Sequence, residues 1–203
     1  MFFSFDGIDG AGKTTQIELF AEWLADLQRD VVVYRDPGST ELSERIRDIL
    51  LDKTGIPISD DAEMLLYMTA RTQLLRESIL PDLAAGKTVI IDRYVLATLA
   101  YQGHAGNVPR DAIRAIGDFA TRKTYPDATF VLDIDPNVSH ARRDREPDRM
   151  EERGLEYLAT VRKGFLAEAE IDPSVHVIDA NQSVGDVQAA IRKIAEPILN
   201  SSN

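Results

Sequence analysis

Gly7-Ile8-Asp9-Gly10-Ala11-Gly12-Lys13-Thr14 decides the fold. It matches the pattern G-x-x-x-x-G-K-[ST] at every specified position. The physics requires these residue types. Glycines let the backbone curl so that successive N–H groups face one anion. A helix opening near Lys13 turns the positive end of its dipole toward the same point. Lys13 adds a full charge for the β and γ phosphates of a nucleotide, and the Thr14 hydroxyl suits a magnesium ion. The plain alternative is a glycine-rich turn that happens to precede a lysine. Against it, the loop follows a strand-like run, Phe2-Phe3-Ser4-Phe5, and opens a helical one. ATP binding by Gly7, Ile8, Asp9, Gly10, Ala11, Gly12, Lys13 and Thr14, with Mg2+, is therefore expected.

Outward from this loop, short β-rich runs alternate with amphipathic stretches. Val31 to Tyr34, Thr88 to Ile91, Thr129 to Ile134 and Val175 to Ile178 read as further strands. Thr15 to Leu27, Ser43 to Leu51 and Ala62 to Leu83 carry apolar residues at helical spacing. Strands alternating with helices argue for parallel βαβ units, hence an α/β fold of three layers. The expectation is a P-loop NTPase fold with a five-stranded parallel sheet flanked by helices. Ligands of such sheets sit at the C-terminal strand ends. No Gly/Ser linker, repeat or low-complexity tract divides residues 1–203, so one domain is expected.

Composition narrows the function. The chain has 203 residues, 44% hydrophobic and 28% charged, the profile of a globular protein rather than a disordered one. It contains no cysteine, which excludes a disulfide framework, a thiolate metal site and a cysteine nucleophile together. No apolar run approaches a membrane span, and MFFSF is too short for a signal peptide, so a cytoplasmic location is expected. A net charge of −11 would repel a polynucleotide over most of the surface. A small anionic substrate would instead need arginines gathered locally.

One gathering point is Thr88-Val89-Ile90-Ile91-Asp92-Arg93-Tyr94, an apolar strand ending in an acid and an arginine. Asp92 beside a phosphate loop suits magnesium or its water shell. Arg93 suits paired hydrogen bonds to a phosphate. The alternative makes Asp92 a helix cap and Arg93 a surface ion pair.

From these residues the chain resembles the thymidylate kinase family. FDGIDGAGKTTQ is similar to that family's opening, and Tyr34-Arg35-Asp36-Pro37-Gly38-Ser39-Thr40 to its Arg-Glu-Pro-Gly-Gly-Thr turn. Asp92-Arg93-Tyr94 with Ala100-Tyr101-Gln102-Gly103, and Asp148-Arg149-Met150-Glu151 at the end of a lid, follow in the family's order. The resemblance implies transfer of a phosphoryl group from ATP to dTMP, giving dTDP, in a homodimer. It implies that Asp9 binds the sugar of dTMP and helps order the magnesium site, and that Arg93 holds the acceptor phosphate. Tyr67 and Arg71 would stack on thymine and bond its exocyclic oxygen, and their i,i+4 spacing puts both on one helix face. Thr98 would face the base edge, Tyr101 the ribose 2′ position and Pro37 the sugar, with Gln102 beside them. Each has a plainer reading: Tyr67 as a core aromatic, Arg71 as a solvated helix cation, Tyr101 as packing.

The second gathering of cations is the expected lid, about 140–150. His140-Ala141-Arg142-Arg143-Asp144-Arg145-Glu146-Pro147-Asp148-Arg149 puts four arginines in a short stretch, which a solvated charged helix end would also do. Some family members carry an arginine inside the phosphate loop; here Gly10 and Ala11 stand there, so the resemblance is to the lid-arginine kind. It implies that Arg142, Arg143 or Arg145 is catalytic, while Arg149 anchors the lid or contacts the nucleotide. Asp36, Ser39 and Ala97 depart from the family's usual Glu, Gly and Ser. Asp36, the shorter acid, would reach its arginine partner differently. Asp179-Ala180-Asn181-Gln182 lies where this fold sets backbone against adenine, with Asn181 the candidate contact; an ordinary turn capped at Ser183 is the alternative.

Overall fold

In a computed structural model, which describes residues 1–53, 56–141, 149 and 151–201, five strands form one parallel sheet in the order β2-β3-β1-β4-β5. They are β1 (Phe2–Asp6), β2 (Val31–Arg35), β3 (Thr88–Asp92), β4 (Ala128–Asp133) and β5 (Val175–Asp179). Phe5 lies opposite Asp92 on one side and Phe130 on the other, so β1 is the central strand. The chain runs from β1 outward to β2, returns through β3, and then crosses β1 to reach β4. That reversal opens a crevice at the C-terminal end of β1, where such sheets bind ligands. Gly7–Thr14 issues there.

The helices are α1 (Lys13–Asp26), α2 (Glu41–Leu51), α3 (Asp60–Leu74), α4 (Leu80–Ala84) and α5 (Val95–Thr98). After them come α6 (Arg110–Thr121), α7 (Pro136–Ala141), α8 (Leu155–Ala169) and α9 (Val184–Asn200). They cover both sheet faces, because strand side chains alternate. Phe3 and Phe5 pack with Phe20 and Leu24 of α1, Phe130 of β4 and Phe165 of α8. Phe2 turns the other way, against Met64 and Met68 of α3 and Ile113 of α6. Burying each such side chain contributes on the order of 1.5–3 kcal/mol, so β1 is anchored from both sides. The loop that follows it therefore starts from a fixed point.

Sequence chemistry sets the helix starts. Thr40, Ser59 and Ser183 each accept a backbone N–H at the head of α2, α3 and α9. At the head of α1, Gly12 stands in the left-handed region and no side chain caps the helix. The stretch expected as one helix from Ala62 to Leu83 is instead α3 and α4 joined by a π-helical turn at Leu75–Ile79. Pro81 lacks the N–H that would continue the α pattern, and Leu80 N–H bonds back to Leu75 O. A second π-helical turn, Leu99–His104, extends α5 and carries Tyr101 and Gln102. Among the described residues, no helix is long and apolar enough to cross a membrane.

Candidate active site

The phosphate loop is shaped by close backbone approaches. Gly7 has φ +132, and a Cβ there would meet Leu132 O of β4 at 2.6 Å. Gly10 has φ +80, and a Cβ there would meet Ser139 O of α7 at 2.6 Å. Ser139 Oγ also donates to Asp9 O, so α7 is docked directly on the loop. α7 thus occupies the space a side chain at position 10 would need. Lys13 is buried, with Nζ donating to Gly7 O at 3.3 Å and Ile8 O at 3.2 Å. Its ammonium also lies 3.9 Å from Asp9 Oδ1. Burial, and then the neighbouring Arg93, push its pKa below the ordinary lysine value. Thr14 is exposed on the floor of the cleft above the loop.

Asp9, Arg93 and Tyr101 form one cluster. Arg93 has φ +71, a left-handed backbone that is uncommon outside glycine and is held here by Arg93 N–H donating to Phe5 O at 2.9 Å. Its guanidinium donates to Gly7 O at 3.0 Å and to Asp9 Oδ1 at 2.6 Å. Tyr101 OH accepts from Arg93 at 3.3 Å and donates to Asp9 Oδ2 at the same distance, and the guanidinium lies 5.0 Å from the ring centre. Burial pushes the Tyr101 phenol well above its usual pKa, so it stays protonated as a donor.

A second, smaller pocket opens beside this cluster, lined by Pro37, Tyr67, Arg71, Thr98, Tyr101 and Gln102 among others. The sequence expectations for an acceptor site thus converge in space. Tyr67 also packs against Ile46, Leu50 and Ala70, so the core reading and the pocket reading both hold for it. Arg71 is not a solvated cation. Only 1% of its surface is exposed, and Nε donates to Asp36 Oδ2 at 2.5 Å. Thr98 Oγ1 accepts from Arg71 at 3.1 Å, and Gln102 Nε2 donates to Glu63 Oε1 at 2.9 Å.

The larger cleft, of about 940 Å³, runs over Gly10, Lys13 and Thr14 to Ala180, Gln182, Val184 and Val187. The two clefts share four lining residues: Asp9, Asp36, Arg47 and Arg93. Sequence reasoning missed Arg47. Its signal was present, since it sits on α2 among the buried positions Ser43, Ile46 and Leu50, where an idle cation is costly. Arg47 Nη1 donates to Pro37 O at 3.0 Å. Neither Asn181 nor Arg149 lines this cleft. Asn181 folds its amide onto Asp179 Oδ1 at 2.7 Å, and its neighbours Ala180 and Gln182 line the cleft instead. Arg149 donates to Leu50 O at 2.7 Å and to Glu63 Oε2 at 2.5 Å, contacts that tie the end of the expected lid to α2 and α3. Arg142, Arg143 and Arg145 lie outside the described residues.

The donor set near the loop fits a magnesium ion. Asp92 Oδ1 is buried without a hydrogen-bond partner among the described residues, and Asp92 does not cap α5. It lines the same cleft as Thr14. Asp9 faces Arg93 and Tyr101, so its charge is already balanced. Among the described residues there is no cluster of three or more acidic, His or Cys ligands.

The chain matches the family model described as thymidylate kinase over residues 5–191. The thymidylate kinase of Symbiobacterium thermophilum is 42% identical over 201 residues, covering 98% of this chain and 94% of that one. That of Thermosipho africanus is 38% identical, covering 99% and 100%. The crystal structure of thymidylate kinase from Ehrlichia chaffeensis superposes with a TM-score of 0.78 at 33% identity, covering 97% of this chain and 98% of that one.

Proposed function

The chain belongs to the thymidylate kinase family, and on that premise we propose that it transfers the terminal phosphoryl group of ATP to dTMP, giving ADP and dTDP. The observation that carries this reading is the junction of two clefts at Asp9, Asp36, Arg47 and Arg93. One cleft is floored by a phosphate loop, and the other is lined by Tyr67, Tyr101, Arg71 and Thr98 among others. A donor triphosphate in the first and an acceptor monophosphate in the second would bring their phosphates together at that junction. An acceptor phosphate oxygen then bonds the γ phosphorus as the bond to the β–γ bridging oxygen breaks, and ADP leaves.

Each residue has a role in that step. The loop amides and Lys13 hold the β and γ phosphates, and Thr14 with Asp92 would hold magnesium, which screens the charge of the triphosphate. Arg93 and Arg47 receive the acceptor phosphate, two cations against one dianion. Asp9 keeps Arg93 aimed across the loop and offers the acceptor sugar a carboxylate. Tyr67 supplies a ring face for the base, Arg71, Thr98 and Gln102 its polar edge, and Tyr101 and Pro37 border the sugar. Ala180, Gln182 and Val187 flank the donor base. One or more of Arg142, Arg143 and Arg145 closes on the transferring group and excludes water. The same reading includes residues 1–203 as one catalytic domain with a lid near 140–150, a cytoplasmic location and a homodimer.

An acceptor panel tests it. With ATP and Mg2+, purified protein is offered dTMP, dUMP, UMP, CMP and thymidine, and nucleoside diphosphate formation is followed by chromatography. The expected result is dTDP formed one for one with ADP and fastest with dTMP. ATP turnover indifferent to the acceptor, or faster transfer to a ribonucleotide, would refute it.

A further inference from the structure

Arg71 reaches the acceptor pocket with most of its donors already committed. A guanidinium carries five N–H groups in a rigid fork. Nε donates to Asp36 Oδ2 at 2.5 Å, and Nη2 gives its two to Tyr94 O at 3.0 Å and Thr98 Oγ1 at 3.1 Å. Nη1 gives one to Met68 Sδ at 3.1 Å. One Nη1 N–H is left, on a side chain that lines the pocket. Asp36 arrives from the loop after β2, and the pair is closed to solvent, with 1% and 0% side-chain exposure. Asp36 Oδ1 is buried and makes no hydrogen bond among the described residues. The hydrogen bonding of this carboxylate is therefore directed at Arg71 alone.

We infer that Asp36 is a positioning and specificity-determining residue: it fixes Arg71 so that a single uncommitted N–H faces the base edge. The pocket then selects a pyrimidine presenting a carbonyl oxygen there over one presenting an amino group. A donor meeting an amino group leaves both unpaired in a buried site, and such mismatches discriminate strongly. Without the carboxylate, Nε loses its acceptor and the fork is free to pivot, so an amino group is no longer excluded. This inference rests on the dTMP reading above and assigns a residue to its base selectivity.

The test compares Asp36→Ala, which removes the acceptor of Arg71 Nε, with the wild type in steady-state kinetics with dTMP and dCMP. The account expects KM for dTMP to rise about tenfold or more, kcat at saturation to stay within about threefold, and the preference for dTMP over dCMP to fall about tenfold. Should the Ala variant not fold, Asp36→Ser, whose shorter side chain leaves room for water beside Nε, is read in the same way. A variant with a lowered Tm but unchanged KM and unchanged base preference would overturn the inference, since a merely structural pair would behave so. The wild type separates the two claims. If it fails to phosphorylate dTMP, the proposed function falls; if it succeeds and the variants match its base preference, only the role of Asp36 falls.

Discussion

At the scale of single residues, Ser4 and Asp6 share one face of β1, and Ser4 Oγ donates to Asp6 Oδ2 at 3.0 Å. Asp6 is fully buried, and its Oδ1 has no hydrogen-bond partner among the described residues. Burial pushes its pKa from 3.8 up to about 6, against the pull of Arg93. The consequence for stability has a definite sign. Well below 3.8, the ordinary value, both folded and unfolded chains hold the proton. Between there and about 6 the folded chain holds a proton the unfolded chain has lost, so rising pH costs stability until the folded group ionises. Two pH units correspond to roughly 3 kcal/mol. Asp6→Asn removes this penalty, so its stability relative to wild type should improve by up to about that amount between pH 4 and pH 7.5. Urea denaturation at the two pH values measures it; a difference between the two proteins that does not change with pH would contradict the account.

Elements show where sequence was legible and where it was not. Every strand and the phosphate loop could be read from Gly7, Gly12, Lys13 and the apolar runs, because those signals are local. Pro81 marked the break between α3 and α4, but 3.6-residue periodicity runs on through a π turn of Leu75–Ile79 and hid it. Asp36 with Arg71, Arg93 with Gly7 and Glu63 with Gln102 are separated by 35, 86 and 39 residues. Pairings that distant follow from how the elements pack in three dimensions, not from spacing. The docking of α7 on the loop is of the same kind and gives a prediction. Gly10 and Gly86 both have φ +80, but a Cβ meets Ser139 O at 2.6 Å only at Gly10, with nothing within 4 Å at Gly86. Gly86→Ala should cost about 1–2 kcal/mol from the left-handed backbone alone. Gly10→Ala should cost about 1–3 kcal/mol more, because backbone must shift, and only it should weaken ATP binding. Equal losses of stability with ATP affinity intact in both would show that α7 does not brace the loop.

Across the whole molecule, an acidic chain of net charge −11 nevertheless brings Lys13, Arg47 and Arg93 together along one seam. Lys13 and Arg93 approach it from the β1 and β3 ends, Arg47 from α2. Of the acids shared by the two clefts, Asp9 is paired with Lys13 and Arg93, and Asp36 with Arg71. In the proposed function, two clefts meeting at this seam would set donor and acceptor phosphates against each other, which is what phosphoryl transfer chiefly demands of a protein. One titration addresses that geometry directly: adenosine and thymidine joined through a pentaphosphate, measured by calorimetry in Mg2+ and then as an inhibitor. The account predicts one molecule bound per chain, with competition against both ATP and dTMP. Competition against only one of them, or two molecules bound per chain, would mean that the clefts do not form a single line of transfer.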